Sequence, residues 1–525
     1  MYITRGSAPA HPKVRVPSHA RTFQRAARWR TLAASLIGLA FTALAVFLWV
    51  RSPQATAAMV GAAVVIPLTV GWLWRRPVRG LYVLFAAAVI QETQFAGASF
   101  ADDLGAYTPF FQDVATWTHS QNIPFSVAEV WMGTVLLFWL LKGVAIHKLD
   151  FRRGTLLRPL GLYMAMVLVG ELHGLSGGGD FRLSLWEVRG QVYLFVAYLL
   201  TCQLIRARRQ VDTLLLLLLL GAGLKGIQGT VRYFVSLQGH LGGVEAIFPH
   251  EQSFFFNAFF CQTAILFLYG HPCAGTRRRL KRVSLALLPF VAIADLANQR
   301  RAAILALGVA LVLILALTAL AHPPRRRAMV ATLLVLLVVS VPYYLTERYK
   351  GGLIAQPAHA LSSIYQPDPR DLSSNTYRTN EDANLLFTMR TSPIIGYGFG
   401  KTFLTPYPLA DISGAYGFWN LLPHNSILWI WMRMGSVGYL FFWLLIAGAL
   451  AQAGQLLRRI HDPPAKGLAL LILVLIVQDV IVSYLDLQWV NYRNAIVVGV
   501  LFALLSLVPR YAGEELQGAP REAYV

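Results

Sequence analysis

The run AAILALGVALVLILALTALA, residues 302–321, holds 20 residues without a charge and is bracketed by QRR before it and HPPRRR after it. At about 1.5 Å rise per residue, a helix of that length crosses the roughly 30 Å hydrocarbon core of a bilayer. Its flanking cations suit the headgroup boundary. The rest of the chain agrees with this run: 56% of the 525 residues are hydrophobic, 14% are charged and the mean hydropathy is +0.53. A soluble domain would carry about a quarter of its residues charged. The fold class expected is therefore all-α, a polytopic transmembrane helix bundle, because a lipid-exposed backbone must satisfy its own hydrogen bonds.

Outward from this run, apolar segments recur near residues 31–50, 55–74, 80–95, 123–145, 158–174 and 186–205, then near 211–235, 253–270, 283–298, 328–346, 436–457, 466–485 and 493–510. This predicts about 12 to 14 spans. Two are weak, since 80–95 ends in QETQ and 158–174 ends in GELHGL, which suits re-entrant or interfacial segments.

The net charge of +21 does not point to nucleic acid, because the cations sit in short loops: RRPVR (75–79), HKLDFRR (147–153), RARR (206–209), RRRLKR (277–282), RRR (325–327) and RRIHD (458–462). Alternation of the spans brings all of these to one side, and the acidic loop around Asp102, Asp103 and Asp113 to the other. By the positive-inside rule both termini are expected in the cytoplasm. The first thirty residues carry seven Lys or Arg and no acid before a full-length apolar run. This reads as a basic arm ahead of an uncleaved first helix. Cys202, Cys261 and Cys273 lie in or beside apolar runs and suggest no disulfide framework.

The domain plan expected is a basic cytoplasmic arm (1–30), an N-terminal transmembrane region (31–346), an extracytoplasmic loop with an amphipathic segment carrying His424 (347–435), C-terminal transmembrane helices (436–510) and a cytoplasmic tail (511–525). The stretch YQPDPRDLSSNTYRTNEDAN (365–384) reads as an ordered polar loop with short helices, and loops of such length are usually functional.

Four arginines fall toward the outer face: Arg189, Arg232, Arg300 and Arg301, from three separate segments. Guanidinium forks match phosphate oxygens, so their convergence suits a lipid phosphate or pyrophosphate. Each has a plainer alternative in snorkelling or ion pairing, Arg189 with Glu187 or Glu171 and Arg300 with Asp295. Lys225 shares a helix face with Gln228 and Arg232 by its spacing, without an evident task. His424 stands on the same membrane side, beside Asn425 and Ser426, either of which is a competent helix cap. An imidazole there suits a general base for a sugar hydroxyl. Trp429, Trp431, Met432 and Met434 suit the lipid interface, with their segment lying along the outer leaflet. Gly396, Gly398 and Gly400 read as turn residues, since no strand precedes them as a nucleotide loop requires. No His/Cys/Asp/Glu group has metal-ligand spacing.

The run ANLLFTMRTSPIIGYGFGKTF followed by PHNSILWIWMRMGSVGYLFFWLL, within residues 383–445, resembles the shared block of bacterial O-antigen ligases and O-antigen polymerases, "SP..G.G.G" and then "HN..L......G..G" leading into a helix. QRRAAILAL (299–307) is similar to that family's serine-arginine-glycine-alanine-leucine helix start, with Arg301 on the family arginine and Arg300 in place of the serine. Arg189 looks like the family's other pyrophosphate-binding arginine. The resemblance implies a membrane glycosyltransferase that is metal-independent, needs no cofactor and inverts the anomeric centre. The implied donor is a glycan on undecaprenyl pyrophosphate. The implied acceptor is lipid A core sugar in a ligase or a second lipid-linked glycan in a polymerase, with room for a chain-length regulator as partner. It further implies His424 as base and Arg189 and Arg301 as pyrophosphate ligands. A lipid-linked oligosaccharide flippase is the alternative from another class, though transporters tend to repeat their halves and no halves repeat here.

Overall fold

The computed structural model describes residues 67–91, 110, 111, 113, 125–145, 150–241, 246–270, 274–414 and 417–513. Among these it is helical and contains no strand beyond one isolated bridge between Asp113 and Ser126. The span predicted at 31–50, most of that at 55–74, and Cys273 lie outside the described residues. Cys202 and Cys261 are buried free thiols.

The helices are α1 Val78–Ile90, α2 Val127–Ala145, α3 Leu157–Ser176, α4 Phe181–Leu204, α5 Arg208–Val231, α6 Gln252–Tyr269, α7 Ala274–Ala297, α8 Arg301–Ala321, α9 Arg326–Glu347, α10 Gln356–Ser362, α11 Pro369–Met389, α12 Ser426–Arg459, α13 Pro463–Ser483 and α14 Tyr492–Gly513. Eight helical segments among the described residues are long and apolar enough to cross a membrane, including α8, α12, α13 and α14. The predicted span near 80–95 forms the shorter helix α1, 13 residues long.

The chain divides into residues 1–77 with 135–151, and residues 78–134 with 152–525. In the first unit Trp74 meets Phe138 edge-on at 5.6 Å and Lys142 donates to the Arg75 carbonyl. In the second, α14 packs along α4, α5 along α7, α12 on α3 and α13, and α13 on α6, α8 and α14. The apolar span of α13 is 78% buried, whereas that of α9 with its preceding turn is 6% buried. Hence α13 belongs to the centre of this unit, and α9 offers its apolar residues outward.

The polar stretch after α9 folds into more regular structure than the short helices expected. Asp368 caps α11, accepting from the Asp371 amide at 2.7 Å, with Pro369 in the first turn. Capping by Asp with Pro at the next position is a strong helix start. The resulting helix runs 21 residues and packs against α12.

Of the four residues expected at the lipid interface, Trp429, Met432 and Met434 are instead fully buried and only Trp431 is half-buried. The reason is a break in α12 at Gly435 (φ 64°, ψ −172°). In an unbroken helix Ser436 and Val437 would donate to the carbonyls of Met432 and Arg433. Instead they donate to Pro393 and Ile394, while those two carbonyls accept from Tyr397 and Gly398 at 2.7 and 3.1 Å. The glycine loop is thereby laced into the helix. A Cβ on Gly435 would stand 2.2 Å from the Ile394 carbonyl oxygen, and one on Gly398, at φ +83°, would stand 2.4 Å from the Gly174 Cα. Only glycine fits either place.

Candidate active site

His424 precedes the cap of α12, and four hydrogen bonds fix the chain around it. Its amide donates to Glu381 Oε2 at 2.9 Å, Asn425 caps the Leu428 amide at 3.0 Å while donating to Asp382 at 3.3 Å, and Ser426 donates to the Asp486 carbonyl at 2.8 Å. The His424 ring then places Nδ1 at 3.1 Å from Glu381 Oε2 and 3.2 Å from Oε1. Glu381 is 1% exposed and the His424 side chain 23%. A buried carboxylate thus backs an imidazole that reaches solvent. Tyr377, one turn before Glu381, meets the ring edge-on at 5.8 Å between centroids.

Helix α11 supplies most of this environment. Asp371, Asn375, Arg378 and Asp382 recur at helical spacing and so share one face. From that face Asp371 pairs with Arg301 at 3.0 Å, Asn375 accepts from Arg301 at 3.5 Å, and Arg378 acts on both Asp382 and Asp486. Burial pushes the Asp382 carboxyl up to about 6, reinforced by Glu381 and opposed by Asn425, Arg378 and His424. Burial, then Glu381 and Asp411, push the Tyr377 phenol up to about 12.

The raised carboxyl makes folding less favourable as pH climbs, because between about pH 4 and pH 6 the unfolded chain has lost a proton that the folded chain still holds. Asp382→Asn should therefore melt above the wild type at about pH 7, with the gap closing below about pH 4. Detergent-solubilised thermal unfolding across that range measures it, and a gap independent of pH would contradict the assignment.

Opposite α11 stands a second histidine. His250 Nδ1 lies 2.5 Å from Asp486 Oδ2, and its ring centroid lies 6.5 Å from that of His424. Asp486, between α13 and α14, is buried, which disfavours its charge. His250 and then Arg300 and Arg378 outweigh burial and hold the carboxyl down at about 2. The start of α6, two residues after His250, is anchored by the fully buried Arg493, which donates to Gln252 at 2.8 Å and to the Ala88 and Val89 carbonyls. Arg493 also pairs with Glu251 at 3.7 Å.

Of the residues singled out from sequence, His424, Arg300 and Arg301 meet around α11 and Asp486. Arg189 is 4% exposed and held by Glu129 at 2.8 Å and Asp113 at 2.9 Å, not by Glu187 or Glu171. Arg232 closes α5 and donates to the Ile247 carbonyl. Lys225 is buried, donating to Gln228 at 2.8 Å with its ammonium 4.7 Å from the Phe248 ring centroid, so its charge is met inside the protein. Glu381, Tyr377, Arg378, Asp382, His250 and Asp486 were not singled out. The sequence did carry a signal for the four on α11, in the cap DPRD at 368–371 and the helical spacing of its charges. For His250 and Asp486 no local pattern exists.

Residues 285–443 match the family model described as O-antigen ligase. The match runs from within α7 to the α12 segment just past the Gly435 break, taking in Arg300, Arg301, Glu381 and His424, while Arg189, His250 and Asp486 lie outside it. No curated protein matches the sequence.

Proposed function

We propose, from the match of residues 285–443 to the O-antigen ligase family model, that the protein is a membrane-embedded glycosyltransferase of cell-surface polysaccharide assembly. It moves a glycan from undecaprenyl pyrophosphate to a sugar hydroxyl at the periplasmic face of the bacterial cytoplasmic membrane, with inversion at the anomeric carbon and without a metal. The basic loops orient the chain with both termini inside.

The observation that carries the reading is the buried carboxylate of Glu381 against Nδ1 of His424. A proton kept on Nδ1 by that carboxylate leaves the Nε2 lone pair to accept the hydroxyl proton of the acceptor. The acceptor oxygen then attacks the anomeric carbon, and the bond to pyrophosphate breaks with its electron pair on oxygen. Arg300, Arg301 and Arg378 supply permanent positive charge for the pyrophosphate, the work a divalent cation does elsewhere. Arg189 and Arg232, assigned to pyrophosphate from sequence, join them on exchanging Glu129, Asp113 and the Ile247 carbonyl for phosphate oxygens.

Purified protein, a lipid-pyrophosphate-linked glycan and two acceptors offered separately test the proposal. Transfer to rough lipopolysaccharide identifies a ligase, and a ladder of lengthening lipid-linked chains identifies a polymerase. A folded protein silent with both acceptors sinks the reading. In the active assay Glu381→Gln should lower turnover by about 10- to 100-fold and move the ascending acid limb of the pH–rate profile to lower pH, because losing the carboxylate charge favours the neutral imidazole. A drop without that movement would make Glu381 merely structural.

A further inference from the structure

The cluster around His424 is electrostatically divided. On one side Glu381, Asp382 and Tyr377 surround the His424 ring. On the other, Asp486 and His250 stand with Arg300, while Arg378 acts on Asp382 and Asp486 alike and so lies between the two sides. An anionic pyrophosphate is repelled by the first side and attracted to the second, while a neutral hydroxyl suits the first. We propose that His250, positioned by Asp486, is the general acid that donates its Nε2 proton to the departing pyrophosphate oxygen while His424 takes the proton of the acceptor hydroxyl. The inference rests on the glycosyl-transfer reading and adds a second catalytic residue to it.

Four features support the assignment. The short contact of 2.5 Å between His250 Nδ1 and Asp486 commits one ring nitrogen to a buried carboxylate and leaves Nε2 as the nitrogen that can face the substrate. Asp486 keeps its charge at this buried place through His250, Arg300 and Arg378, which together outweigh the cost of burial. The two rings are 6.5 Å apart between centroids, too far to bond each other. Inverting glycosidases hold acid and base about 6.5–9.5 Å apart for the same reason, to flank a reacting carbon and its incoming nucleophile. The His250 side chain is 32% exposed, so substrate can reach it.

The step balances. The acceptor oxygen bonds to the anomeric carbon as its proton passes to His424. The carbon–oxygen bond to pyrophosphate breaks, its electron pair stays on oxygen, and that oxygen takes the proton of His250. One histidine has gained a proton and the other has lost one, so exchange with solvent resets the pair for another turnover.

The test is the pH dependence of single-turnover transfer by full-length protein in nanodiscs, with lipid-pyrophosphate-linked glycan as donor. Wild type should give a bell, with the alkaline limb reporting loss of the His250 proton. His250→Gln should lower the rate about 10²- to 10³-fold near pH 7 and abolish the alkaline limb while keeping the acid limb that belongs to His424. Asp486→Asn should keep the bell but move its alkaline limb to lower pH, since the imidazolium loses its counter-charge. A His250→Gln protein with undiminished rate, or one slowed with both limbs intact, overturns the inference and leaves the glycosyl-transfer reading standing. A wild type that transfers nothing defeats that reading, and this inference with it.

Discussion

His424→Ala is expected to lower glycan transfer by about 10²- to 10⁴-fold, the range general-base catalysis contributes. His424→Gln should do no better, because an amide keeps a hydrogen bond to Glu381 but offers no basic nitrogen. Both variants should fold. The His424 side chain is 23% exposed, and the neighbouring cap contacts of Asn425 and Ser426 do not depend on the ring. Binding of the lipid-linked donor should change little, since its charge is met by arginines on other elements, and the loss should appear in the rate at saturating substrate. Full turnover by either variant in purified form would remove His424 from the chemistry.

The sequence displayed the bundle more plainly than the site. Spans such as 302–321 are legible because the bilayer demands uninterrupted apolar length, a property written locally. His424 and Arg301 were legible because each stands at the polar edge of such a run. Helix α11 was not, although Asp368 and Pro369 announce its start, because PRDLSSNTYRTNED (369–382) is built largely of the polar residues that loops also use. The inward turn of Trp429, Met432 and Met434 was hidden for a different reason. Aromatic and sulfur side chains suit a membrane interface and a protein core equally, and the choice is made by the loop that Gly435 admits. Partners were the hardest to see. Glu381 is 43 residues from His424, and Glu187 reaches Arg433 across from another helix. Such pairing is a property of the assembled fold.

That last pair carries the largest expected effect on stability. Glu187 and Arg433 are both fully buried, with Nε of Arg433 at 2.6 Å from Glu187 Oε1. The carboxylate also accepts from the Gly400 amide at 2.7 Å and from the Trp429 indole at 3.0 Å. The guanidinium donates to the carbonyls of Gly398 at 2.9 Å and Leu421 at 3.1 Å. One ion pair thus ties α4, the glycine loop, the segment before His424 and the first part of α12. Glu187→Ala should destabilise the protein by about 3–5 kcal/mol, because a buried guanidinium left alone cannot shed its proton. Arg433→Met should cost less, since a stranded carboxyl can take up a proton. Glu187→Gln should be milder than Glu187→Ala, as an amide oxygen still accepts. The double variant Glu187→Leu with Arg433→Met should recover part of the loss and not all, because the Gly398 and Leu421 carbonyls and the Gly400 amide then lack their partners. Thermal unfolding of the four proteins in detergent gives the order, and single variants that melt with the wild type would show that the pair contributes nothing net. Since Leu421 lies three residues before His424, any folded Glu187 variant should also transfer glycan more slowly at saturating substrate, the loosened segment no longer holding the imidazole where the acceptor hydroxyl arrives.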